Sequence, residues 1–152
     1  MGCQILVELA HLDASAMIGL GFLGPTMDQY ARSRLSHVLR LFGDQFCEPP
    51  SLIPLQAFDY LGNGPIRTIK TFVKAVRHDM LGRITRVKAP CLILRGERDP
   101  IVSQKWAEAL ASKLPDSDLR IVPRAGHALN YNAARVIVPE MLAFWRSRGL
   151  PI

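Results

Sequence analysis

Hydrophobic and polar residues run along this chain on changing periods, and the changes divide it into four blocks. In residues 2–13, Ile5, Leu6, Leu9 and Ala10 recur at helical spacing, the mark of an amphipathic helix. No Ser, Thr, Asp or Asn precedes it as a cap, only Met1. Residues 16–23 are continuously apolar and stop at Gly24-Pro25, which predicts a strand covered on both faces. From about Met27 to Lys88 the pattern is helical. Segments 29–42, 51–61 and 65–80 are separated by Pro49-Pro50 and Gly62-Asn63-Gly64-Pro65.

The last block alternates. Residues 91–94 predict a short buried strand, punctuated by Gly96. Residues 103–114 predict a helix with Trp106, Ala107, Leu110, Ala111 and Leu114 on one face. A strand over 118–122, then Gly126-His127, then a helix over 133–146 complete the chain. Strands alternating with helices of this length predict an α/β fold with a mostly parallel sheet.

Composition narrows the picture. The 152 residues are 49% hydrophobic and 21% charged, which excludes a disordered or collagen-like chain and suits one domain. No apolar run approaches the roughly 18 residues of a membrane span, so no membrane partner is expected. Met1-Gly2-Cys3-Gln4 carries no Lys or Arg and Glu8 interrupts the first apolar stretch, unlike a signal peptide. Cys3, Cys47 and Cys91 are an odd count with no C-x-x-C pair, which predicts reduced, buried thiols and a cytoplasmic location. The net charge of +6 permits an acidic partner without pointing to one.

Two ionisable residues sit where α/β sheets gather their chemistry, just beyond the carboxyl ends of strands. Asp99 follows the strand at 91–94 through Arg95-Gly96-Glu97-Arg98, and His127 follows the strand at 118–122 through Pro123-Arg124-Ala125-Gly126. An Asp that orients a His, which then acts as general base, is two-thirds of an acyl-transfer triad.

Other signals read more plainly. Gly19-Leu20-Gly21-Phe22-Leu23-Gly24 matches G-x-G-x-x-G, with Asp44 20 residues further on. A dinucleotide site needs a helix opening within that run, whereas this one is strand-like and ends at Pro25; close packing explains the glycines, and no cofactor is expected. Arg67, Lys70, Lys74 and Arg77 share one helical face opposite Ile66, Ile69, Val73 and Val76, which reads as a solvated outer face. Without a recognisable nucleic-acid module, no nucleic-acid partner follows. His11, His37, His78 and His127 are scattered at no ligand spacing, so no metal is expected. His78-Asp79 reads as a polar helix end, Glu8 and Glu97 as solvated, and Trp106 and Trp145 as core.

Pro90-Cys91-Leu92-Ile93-Leu94-Arg95-Gly96-Glu97-Arg98-Asp99-Pro100-Ile101-Val102 resembles the acid-bearing segment of α/β-hydrolase fold enzymes, and Ala125-Gly126-His127 resembles their histidine segment. Residues 20–26 resemble the strand before the cap insertion, and Met1-Gly2-Cys3-Gln4 with the helix behind it resembles the residues just after the nucleophilic serine. The resemblance implies a partial α/β-hydrolase fold, with residues 1–26 and 89–152 as the core and 27–88 as a helical cap. It implies Asp99 as triad acid and His127 as general base.

The serine of the family's G-x-S-x-G elbow falls immediately before Met1, with Gly2 as the closing glycine and the Met1 N–H as an oxyanion donor. No G-x-S-x-G occurs within the chain. The resemblance implies hydrolysis of an ester-like or related bond through a covalent acyl intermediate, and Phe42, Phe46, Leu55, Phe58, Leu61 and Phe72, which make the cap apolar, imply a small, fairly hydrophobic substrate. The alternative is a catalytically inactive, truncated half-domain that associates with another chain, or with itself, through an exposed sheet edge.

Overall fold

The computed structural model describes residues 2–31 and 33–151; Met1, with the oxyanion role expected of it, lies outside them. Helix α1 spans Gly2–Leu12 and buries Val7 and Ala10, leaving Ile5, Leu9 and Leu12 exposed. The strand expected over 16–23 is shorter, because a one-turn helix occupies Ala14–Ala16. Asp13 caps that turn, its carboxylate accepting the Ser15 N–H at 3.0 Å, and ladder pairing starts only at Leu20, opposite Cys91. Strand β1 is therefore Leu20–Leu23.

Between β1 and β2 lies a helical insertion. Helix α2 (Arg34–Asp44) starts at Ser33, whose hydroxyl accepts the Ser36 N–H, and α3 follows over Leu52–Asn63. Gly64, at φ +75°, turns the chain into α4 (Pro65–Arg77), where Pro65 fills the first helical position. The short α5 (Met80–Arg83) is capped by Asp79, so His78-Asp79 is a polar helix junction. The aromatic content of this insertion is not packed away: Phe42, Phe58 and Leu61 are exposed, and Phe46 is 92% exposed. Ile66 and Ile69 of α4 are exposed too, so its expected apolar face is only partly covered.

Strand β2 (Cys91–Gly96) is the centre of a three-stranded parallel sheet ordered β1-β2-β3, with β3 at Ser117–Val122. Leu20 pairs with Cys91 and Leu23 with Leu94; Cys91 pairs with Ser117 and Gly96 with Val122. The unbroken apolar run of β2 divides by the two-residue strand period. Cys91 and Ile93 face Val7, Phe22, Trp106 and Leu110, while Leu92 and Leu94 face Val122, Leu129, Ile137 and Phe144. Each fully buried aliphatic side chain there contributes about 1.5–3 kcal/mol.

The faces are closed by α6 (Gln104–Lys113) on one side and by α7 (Leu129–Asn132) and α8 (Ala134–Ser147) on the other. Trp106 is fully buried, and its indole N–H donates to the Pro25 carbonyl at 2.9 Å. Two polar expectations are corrected. Glu8 is not merely solvated: its carboxylate accepts from His78 at 2.6 Å and Arg83 at 2.8 Å, tying α1 to the end of the insertion. Of the cysteines, Cys91 is buried and Cys3 half-buried, but Cys47 is exposed, because it lies on the outer side of the turn after α2.

Candidate active site

Because β2 and β3 are parallel and in register to their last residues, both release their loops at the same edge of the sheet. The loops are bonded to each other. Glu97 N–H donates to the Val122 carbonyl and Arg98 N–H to the Ala125 carbonyl, each at 2.9 Å. Gly96 makes this approach possible, since a side chain there would collide with the carbonyl of Gly126. Arg95 braces the Asp99 loop from below, its guanidinium donating to the carbonyls of Val102 at 2.6 Å and Asp99 at 3.2 Å.

This frame brings Asp99 and His127 together. Asp99 Oδ2 stands 2.8 Å from His127 Nδ1, while Oδ1 accepts the N–H groups of Ile101 at 2.8 Å and Val102 at 2.9 Å. The Asp99 side chain is fully buried and the imidazole 21% exposed. A carboxylate accepting from Nδ1–H leaves the lone pair on Nε2, which is the basic nitrogen of a general base. Below the ring lies Gly24, at φ +51°, on the loop leaving β1.

Two further carboxyls, missed as site residues by sequence reasoning, face the histidine loop from the end of α2. Glu48 accepts the Ala128 N–H at 2.7 Å and the Asn132 side-chain amide at 2.6 Å. Asp44, noted in the sequence only for its distance from the G-x-G-x-x-G run, is buried close to His127. Burial alone pushes the His127 imidazole down, but the hydrogen bond and charge of Asp99, with the charges of Asp44 and Glu48, leave it raised above its ordinary value. Burial pushes Asp44 up to about 6; the His127 cation opposes that, while the charges of Glu48 and Asp99 reinforce it. Spacing along the chain held no signal for either residue.

Residues 1–139 match the profile of the alpha/beta hydrolase family. The chain belongs to that family. Among solved structures it is similar to a hydrolase from Oleispira antarctica, with a TM-score of 0.82 at 17% identity over 95% of this chain and 62% of the other. An esterase from Exiguobacterium antarcticum aligns with a TM-score of 0.74 at 15% identity over 95% and 63%. The 2-hydroxy-6-oxo-6-phenylhexa-2,4-dienoate hydrolase from Rhodococcus sp. strain RHA1 aligns with a TM-score of 0.70 at 15% identity over 96% and 61%. The chain thus spans about 62% of the length of the first of these hydrolases. No curated protein matches it.

The first turn of α1 lies at the same end of the sheet as the Asp99–His127 pair. The Cys3 thiol reaches the Leu23 carbonyl at 3.8 Å, one residue before Gly24. Gly2 opens α1, and a side chain there would meet open space. Beside the loop leaving β1, a cavity of about 350 Å³ is lined by Thr26, Met27, Leu41, Tyr60, Arg67 and Phe72, between that loop and the insertion; neither Asp99 nor His127 lines it. A larger concavity of about 640 Å³ runs along the basic face of α4 and includes no residue of the Asp99–His127 site. Among the described residues, no group of three or more His, Cys, Asp or Glu could hold a metal ion, and no helix is long and apolar enough to cross a membrane.

Proposed function

We propose that this chain carries the acid and base of a serine-type hydrolase acting on an ester-like bond of a small, fairly hydrophobic substrate. One observation carries the reading: a fully buried Asp99, pinned by two main-chain N–H groups, holds Nδ1 of a partly exposed His127 at the carboxyl edge of a parallel sheet. In this reading His127 Nε2 removes the proton of a serine hydroxyl as the oxygen attacks the substrate carbonyl. It returns that proton to the leaving group, and then repeats the cycle with water.

The serine of the reading stands just ahead of residue 1. The contact of Cys3 with the Leu23 carbonyl supports this, since it sets the start of α1 beside the loop that carries Gly24 under His127. N–H groups in the first turn of α1 point outward at a helix N-terminus, where a developing oxyanion is favoured. Residues 27–88 serve as the cap, and the cavity at Leu41, Tyr60 and Phe72 takes the apolar part of the substrate.

The test is hydrolysis of p-nitrophenyl butyrate by protein expressed from the reading frame with any codons that precede Met1. Turnover that falls by about 10³-fold or more in His127→Ala supports the reading. Turnover unchanged in that variant overturns it.

A second reading rests on β1, which pairs only with β2 among the described residues and leaves its other edge free. A free strand edge, in a chain that also exposes Ile5, Leu9 and Leu12 on α1, favours association with another chain. A strictly monomeric 152-residue protein in size-exclusion chromatography with light scattering would remove that reading.

A further inference from the structure

The turn that ends α2 continues for almost one helical winding, with the N–H groups of Cys47 and Glu48 donating to the Asp44 carbonyl at 2.8 and 3.1 Å. That winding puts the side chains of Asp44 and Glu48 on one side, against the loop that carries His127. Both are buried, at 4% and 8% exposure, which is rare for acids without a dedicated partner. Glu48 spends one oxygen on the Ala128 N–H, next to His127, and the other on Asn132 at the end of α7. Gly126 gives it room, since a side chain there would strike the Glu48 carboxylate. Asp44 differs: its Oδ1 is buried with no hydrogen-bond partner. A buried, unpaired carboxylate oxygen is costly unless a cation or a proton stands near it.

We propose that Asp44 and Glu48 are positioning residues for His127: Glu48 fixes the loop bearing the imidazole, and Asp44 sets a second carboxyl against it, so that the helical insertion and the core sheet jointly set the basicity of the ring. The catalytic meaning of this brace rests on His127 being the general base; the brace itself does not. The charged groups facing His127 are Asp99 from the loop after β2 and Asp44 and Glu48 from the end of α2, while the β1 loop contributes the uncharged Gly24. Asp44 is faced in turn by His127, Glu48 and Asp99. When Asp44 is ionised it stabilises the imidazolium, and when it is protonated it does not. The two protons are therefore linked, each group releasing its own less readily or more readily according to the other.

The experiment is an NMR titration of the 152-residue chain, following the His127 ring and the Asp44 carboxyl carbon. In the unaltered protein, an Asp44 inflection well above the ordinary carboxylate range, accompanied by a step in the His127 shifts, supports the proposal. An Asp44 inflection near the ordinary range of about 4, with no step at His127, overturns it. Asp44→Asn is expected to lower the His127 midpoint by roughly half a pH unit or more, and an unmoved midpoint overturns the proposal equally. For Glu48, hydrogen exchange at the Ala128 amide is the readout. Glu48→Ala should lose at least tenfold protection there and Glu48→Gln should retain it, while equal protection in all three proteins overturns the clamp. Each readout is independent of turnover, so a protein that hydrolyses no ester still decides the question.

Discussion

The imidazole of His127 rests on Gly24: a Cβ added at residue 24 would stand 2.9 Å from its Cε1 and 3.0 Å from its Nδ1. The backbone at Gly24 is also left-handed, at φ +51°, so two separate constraints favour glycine there. Its N–H donates to the Leu94 carbonyl at 2.8 Å, which ties the loop to the end of β2.

Gly24→Ala should therefore act on stability and on the site together. The backbone strain alone costs roughly 1–2 kcal/mol. The ring must also shift off residue 24 at the nitrogen that is hydrogen-bonded to Asp99, so the low-field Nδ1 proton resonance of His127 should broaden or vanish. Thermal unfolding and that resonance are the two measurements. A variant that keeps the resonance at its original shift would show that the ring does not bear on residue 24.

Asp99 has two jobs that different substitutions separate. Asp99→Ala strands the N–H groups of Ile101 and Val102 in a buried loop and should destabilise the fold by about 2–4 kcal/mol in urea unfolding. Asp99→Asn keeps an acceptor for those two donors and should lose much less stability. It removes the charge that raises His127, however, so the imidazole midpoint should drop toward or below its ordinary value. Equal losses in the two variants would mean that the loop does not depend on the Oδ1 contacts.

Much of this arrangement was legible in the chain itself, and what was not has a common cause. Asp99 and His127 could be read because each lies a few residues beyond the end of a short strand and within three residues of a glycine, a local pattern that fixes position along a strand. Asp44 and Glu48 come from a helix far away in sequence, and spacing within α2 says nothing about which loop its end will meet. Glu8 failed for the same reason, since its partners His78 and Arg83 arrive from another segment. Periodicity also shows which residues share a face but not what covers it. Hence Phe42, Phe46 and Phe58 mark the insertion as apolar in the sequence, but only the structure shows that they are left exposed.

Asp28 anchors the insertion to the core. Its buried carboxylate accepts from Arg40 of α2 at 2.7 Å and from the Tyr30 N–H at 2.8 Å, and Arg40 donates onward to the Ile101 carbonyl at 3.3 Å. Burial works to raise the Asp28 carboxyl, but bonds from Ser103, Arg40 and Tyr30 outweigh it and leave the group below its ordinary value. Asp28→Ala leaves the Tyr30 amide without a partner and the partly covered Arg40 guanidinium with only the longer bond to the Ile101 carbonyl. It should cost about 2–4 kcal/mol in denaturant unfolding, toward the lower end of what broken buried pairs cost because Arg40 is itself 29% exposed. A loss under about half a kcal/mol would show that α2 is held by its other contacts.

Asp44 should make the stability of this protein fall as pH rises through the weakly acidic range. Its carboxyl is pushed up to about 6 in the folded chain, from an ordinary 3.8 in the unfolded one. The folded state thus holds a proton that the unfolded state has already released. Below about pH 4 both states are protonated and the group costs nothing; from there to about pH 6 the penalty grows, and above that it stays constant. The full span corresponds to on the order of 2–3 kcal/mol, with the opposing attraction of the His127 cation already included. His127 itself is raised, so its contribution is intact below 6.5 and fades only above that, which separates the two windows. Asp44→Asn mimics the neutral acid at every pH. Its stability advantage in urea unfolding should be near zero at pH 4, rise through pH 5 and level off above pH 6. An advantage that stays flat across this range would mean that Asp44 does not carry its proton into the folded state.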